Sequence, residues 1–202
     1  MKIFKQVFEN LYGFKEIKQC INSKLTPVSV SGLSQIHKAQ LMLALSNDET
    51  MLLIVDEDGH ARRICDDINE LAGENIAFPF PSREYIITEM EVISREYEYL
   101  RLSTLSKIIS NECKVVVASI EAVMQFTIPP EFLKLKIKTL EKGSEVDVED
   151  LKKSLVKFGY SRSDKVDGPS QFSIRGSIID IFPIQSNFPV RIELWGDEID
   201  SI

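Results

Sequence analysis

The sequence predicts an α/β chain in two parts: an open, mostly parallel sheet flanked by helices, then a small antiparallel α+β domain. Three observations carry this. Short apolar runs alternate with amphipathic stretches of helical length through the first half. The adjacent Pro129 and Pro130 then break the alternation. Beyond them, short alternating segments succeed one another with turn residues between. The domains drawn on this basis are 1–126 and 127–202, and with 44% apolar residues the 202-residue chain can supply a core to each.

In chain order, the periodicity predicts two short amphipathic helices within residues 3–23. Val28 and Val30 alternate with Ser29 and Ser31 and stop at Gly32, the pattern of a short strand. Ser34 then stands where a helix cap belongs, ahead of a helix through Leu41 and Leu45. Residues 51–55, Met-Leu-Leu-Ile-Val, are continuously apolar and predict a central parallel strand. Ile64, Ile68 and Leu71 fall at helical spacing, and Gly73 suits the end of that helix. A third strand is expected over residues 75–81, closed by prolines. A long helix over 91–110 follows, with Tyr97, Leu100, Leu105 and Ile108 among its apolar positions, and then a fourth strand over 114–118.

In the second part, Asp147 can cap a helix whose Leu151, Leu155 and Phe158 share one face, with Gly159 just past its end. Strands are expected near 161–166, 172–182, 189–195 and 198–202. Val190, Ile192 and Leu194 alternate with Arg191, Glu193 and Trp195, which is the period of a strand with one wet face.

Composition removes several function classes. A formal net charge of -7 argues against non-specific nucleic-acid binding, which draws its affinity from Lys and Arg on phosphates. Cys20, Cys65 and Cys113 form no CxxC pair and read as reduced thiols of the cytoplasm. His37 and His60 are the only histidines and belong to no cluster of metal-ligand spacing, so no metal site is assigned. No apolar run reaches membrane-spanning length, and the amino terminus lacks a signal-peptide core.

Two segments of the first part imitate nucleotide chemistry. Gly32 to Ala39 lies between a predicted strand and a helix, where a GxxxxGK[ST] phosphate loop would lie. His37 stands where that loop needs its second glycine, and Ala39 where it needs the Mg²⁺-binding hydroxyl; only Gly32 and Lys38 remain. A functional nucleotide site and a catalytic residue are therefore not expected. Asp56, Glu57 and Asp58 follow the apolar strand as a Walker B acid would, but Asp56 and Asp58 read better as turn and helix N-terminal carboxylates. Ser119, after the Val-Val-Val-Ala run, reads as a helix cap. In the second part, Arg162, Arg175 and Arg191 offer planar forks of donors that match carboxylates.

The segments Val117 to Ala122, Pro129 to Leu133, Gly159-Tyr160, Arg175-Gly176, Ile179 to Pro183 and Pro189 to Leu194 together resemble the bacterial transcription-repair coupling factors (Mfd) and the excision-repair subunit UvrB. The coupling factors fit better, since UvrB carries an intact phosphate loop and a long aromatic hairpin after the third strand, for which residues 81–91 leave no room. The resemblance implies a degenerate helicase-like (RecA-like) first lobe followed by a domain that binds UvrA. It implies contacts to acidic residues of UvrA through Arg162 and Arg175, although UvrB has a further arginine where Ser173 stands here. It also implies that the chain is an amino-terminal piece of an ATP-dependent DNA translocase, so that ATP and Mg²⁺, RNA polymerase and double-stranded DNA belong to domains outside it. The alternative kept open is a UvrB-like subunit still binding nucleotide through Lys38.

Overall fold

Two sheets organise the chain, one in each of two compact units, Met1–Thr127 and Ile128–Ile202. The computed structural model describes Val7, Glu9, Asn10 and residues 13–46, 49–83 and 96–202. The first of the two helices expected within residues 3–23, the start of the helix expected over 91–110, and most of 81–91 lie outside the described residues.

In the first unit, α1 (Phe14–Asn22) and α2 (Gln35–Leu45) precede β1 (Met51–Val55). Next come α3 (Asp58–Ala72), β2 (Ala77–Phe80), α4 (Glu96–Ile109), β3 (Val115–Ser119) and the short α5 (Ile120–Met124). The three strands are parallel in the order β1-β3-β2. One face of the sheet packs Val115 and Val117 against Ala39 of α2 and Ala61, Ile64, Cys65 and Ile68 of α3. On the other face Val116 and Ala118 pack with Phe80, with Leu105 and Ile108 of α4 beside them.

Two strand expectations are corrected here. Residues 28–32 form no strand: Val28 and Val30 are exposed, and the backbone around them joins no ladder among the described residues. Two valines hold an extended segment in a sheet only where a neighbouring strand supplies its hydrogen bonds. The Met-Leu-Leu-Ile-Val run, expected at the centre, is an edge, with Leu52 56% and Ile54 48% exposed. The centre belongs to β3, whose five residues are all buried. An apolar run marks the capacity for burial on both faces, but the pairing order decides which run receives it.

β2 holds Pro79, which has no N–H to give a ladder and is tolerated because β2 is the other edge. Two polar side chains of α4 fasten it. The Thr104 hydroxyl donates to the Pro79 carbonyl at 2.8 Å, and Arg101, buried with its guanidinium over the Phe80 ring, donates to the Pro81 carbonyl at 2.7 Å.

The second unit contains α6 (Pro130–Lys134), α7 (Val148–Lys157) and five strands: β4 (Ser161–Arg162), β5 (Gln171–Arg175), β6 (Ile178–Ile181), β7 (Val190–Trp195) and β8 (Glu198–Ser201). They form one sheet in the order β4-β5-β6-β7-β8. Leu151 and Leu155 of α7 join Val146, Phe172, Ile179, Ile181, Ile192, Leu194 and Ile199 in its core. Two further expectations change. The single strand expected over 172–182 is a hairpin, because Gly176 takes φ +61°, a conformation open to glycine, and reverses the chain. The strand expected over 161–166 shortens to β4, which runs parallel to β5, so the sheet is mixed. After Arg162 the chain loops away, and the Gln171 side-chain carbonyl accepts the Asp167 and Gly168 N–H groups in that loop.

Candidate functional site

Strand periodicity sorts the second sheet into a core face and an outer face. Phe172, Ile179, Ile181, Ile192 and Leu194 take the core face, so Ser173 and Arg175 of β5, Asp180 of β6, and Arg191, Glu193 and Trp195 of β7 take the outer one. Register then aligns Ser173, Asp180 and Arg191 in one row across three strands. Arg175 lies diagonally from Asp180, within reach of a long side chain.

Asp180 is the centre of this arrangement. Its side chain is only 13% exposed and accepts from both arginines. Arg191 Nε donates to Oδ1 at 2.7 Å and Arg191 Nη2 to Oδ2 at 3.0 Å, a bidentate pair; Arg175 Nη2 donates to Oδ2 at 2.8 Å. The side chains of Arg175 and Arg191 remain 60% and 57% exposed. The Arg191 fork, opposed in part by burial and reinforced by Arg175, holds the Asp180 carboxyl below the usual carboxylate range. A carboxylate this buried without partners would be strongly disfavoured, so the arginines make its position tenable.

Arg162 does not join this cluster. Paired in register with Phe172, it takes the side of the sheet on which Phe172 packs, and it is exposed because β4 is the edge. Of the three arginines singled out from the sequence, the structure gathers Arg175 and Arg191 and leaves Arg162 on the opposite side. Sequence reasoning missed Asp180 as the organiser. The signal was present, since Asp180 interrupts an Ile-Ile-Asp-Ile-Phe run, but its partners depend on a β6–β7 register that the intervening loop does not fix.

In the first unit, the damaged phosphate loop is dispersed. Gly32 takes φ +80° in an exposed segment with no strand before it. Ser34 precedes α2, but its hydroxyl meets His37 Nδ1 at 3.0 Å instead of capping a backbone N–H, which corrects the cap expected there. Ala39 is fully buried between α2 and α3. Its side chain faces the core. Lys38 is exposed and lines a cavity of about 350 Å³ with Asp56 and His60, whose Nδ1 lies 2.6 Å from Asp56 Oδ1. Asp58 opens α3 and accepts from both the N–H and the hydroxyl of Ser82 at 2.9 and 2.7 Å, which ties the helix start to the end of β2. Ser119 caps α5 by accepting from the Ala122 N–H at 3.2 Å.

Residues 139–202 match the UvrB interaction domain family. The chain is 34% identical over 191 residues to a transcription-repair-coupling factor of Bacillus subtilis, a match covering 94% of the chain and 16% of that relative. A Staphylococcus haemolyticus transcription-repair-coupling factor is 30% identical over 202 residues, covering 99% of the chain and 17% of the relative. UvrABC system protein B of Methanosphaera stadtmanae is 38% identical over 116 residues, covering 57% of the chain and 18% of that protein. The chain thus spans about a sixth of the length of these relatives. With residues 139–202 matching the UvrB interaction domain and similarity running through nearly its whole length, the chain resembles a part of the transcription-repair coupling factors.

Proposed function

We propose that this chain is a recruitment module that binds UvrA during nucleotide excision repair, through the second unit. The observation that carries the reading is the outer-face arginine cluster, exposed and rigidly anchored within the segment that matches the UvrB interaction domain. Arginine forks on a fixed sheet suit recognition of carboxylates on a protein partner. Arg162, exposed at the β4 edge, extends the contact around that edge.

The first unit is read as a degenerate helicase-like lobe that carries no nucleotide and catalyses nothing. Burial of Ala39 and the substitution of His37 for glycine support that reading. ATP-driven translocation, RNA polymerase and double-stranded DNA are assigned to other parts of the whole protein. A cytoplasmic setting is consistent with three free thiols, and no helix among the described residues is long and apolar enough to cross a membrane.

The test is a pull-down of UvrA by the chain. Wild type should retain UvrA. The Arg162→Ala, Arg175→Ala double variant should lose on the order of 2 kcal/mol or more of binding. Full retention by a folded double variant would sink the assignment.

A further inference from the structure

The outer face holds more order than a binding arginine requires. Two long cationic side chains on different strands converge on one nearly buried carboxylate, and the three bonds between them use only part of the N–H donors that guanidinium groups carry. Bidentate bonding fixes the plane of the Arg191 fork, and the bond from Arg175 restrains a second fork beside it. Both side chains are more than half exposed, which leaves the donors not bonded to Asp180 for a partner. Asp180 itself is too covered for a partner to reach. What a docking protein meets is a pair of cations whose rotamers are already chosen.

We infer that Asp180 is a positioning residue that presents Arg175 and Arg191 as one fixed pair of forks to acidic side chains of the bound partner, making Arg191 a partner-binding residue in its own right. This rests on the reading of the second unit as the UvrA-binding domain. Ordering long side chains before the encounter removes a cost that would otherwise fall on binding. The opposing effect is charge. Asp180 subtracts a negative charge from a site meant to attract carboxylates, and Glu193, two residues from Arg191 on the same face and bonded by the Ser201 hydroxyl, subtracts another. The two acids differ in geometry: Asp180 accepts both forks, whereas Glu193 accepts from neither arginine within bonding distance among the described residues. Charge alone would therefore have Asp180→Asn and Glu193→Gln act alike, and positioning sets them apart.

The experiment measures binding of the whole chain to immobilised UvrA by surface plasmon resonance, with the unfolding temperature of every variant recorded. Asp180→Asn should weaken binding about 10-fold through faster dissociation, while its association rate stays level or rises. Glu193→Gln should bind as tightly as wild type or more tightly. Arg191→Ala should weaken binding about 10-fold. The loss caused by Arg175→Ala should shrink at least 3-fold when Asp180→Asn is already present, a coupling that a purely structural role for Asp180 would not produce. A folded Asp180→Asn that binds like wild type or better, or an Arg191→Ala that binds unchanged, overturns the inference. Should Asp180→Asn fail to fold, Arg191→Ala and Arg191→Lys decide, since both must weaken binding and unchanged dissociation by either overturns it. Loss of binding by the Arg162→Ala, Arg175→Ala variant together with wild-type behaviour of the Asp180 and Arg191 variants removes the positioning inference alone. Wild type failing to bind UvrA at all removes the functional reading and the inference with it.

Discussion

Asp180 concentrates the chemistry of the second unit in one carboxyl group, and its titration gives that chemistry a measurable sign. Its carboxyl is held below the ordinary range chiefly by the bonded Arg191 fork, with burial opposing and Arg175 assisting. A group with a depressed folded value stabilises the fold fully above its unfolded value, about 3.9 for aspartate, and loses that contribution as pH falls through the folded value. The difference in unfolding free energy between wild type and Asp180→Asn should therefore be constant from pH 7 to about 5 and shrink steadily below about 4. Urea unfolding at a series of pH values reads this directly, and a difference that persists undiminished at pH 2 would show that the carboxylate contributes nothing through its charge. Cys113 behaves oppositely: burial pushes its thiol up to about 11, which makes it a core residue without nucleophilic use.

At the scale of elements, α7 is where local sequence and structure agree most closely. Asp147 accepts from the Asp150 N–H at 2.9 Å, Leu151 and Leu155 enter the core, and Gly159 at φ +89° follows the last turn. The cap acts through one backbone N–H that would otherwise lack an intrahelical partner, so Asp147→Ala should lower stability by about 1 kcal/mol and Asp147→Asn by much less. Chemical denaturation of the three proteins checks it. Local rules were weaker guides to the strands. The hairpin at Gly176 and the short β4 depend on which segments pair, and the pattern of residues 172–182 suits one long strand as well as two short ones. β1 teaches the same lesson, because its composition suits a sheet centre and its neighbours make it an edge.

For the whole molecule, the proposal that the first unit carries no nucleotide yields a prediction. Calorimetric titration of the chain with Mg-ATP should give no saturable heat, because the position that would hold the metal-binding hydroxyl is Ala39, buried in the interior, and among the described residues no strand leads into Gly32. Saturable binding lost in Lys38→Ala would instead favour a UvrB-like nucleotide site at the cavity beside Asp56 and His60. The alternation of strands and helices, the α7 helix with its cap, and Arg175 as an outward arginine were legible in the chain, since each follows from short-range periodicity and turn chemistry. The rest came from residues distant in sequence. Which strand is central, where 172–182 folds back, and which arginine shares a carboxylate depend on register and pairing order. Arg191 lies eleven residues from Asp180 and meets it only because β6 and β7 align their outer faces in one register. Side-chain period two places each residue on a face, but only the pairing of strands brings a particular acid beneath a particular pair of arginines.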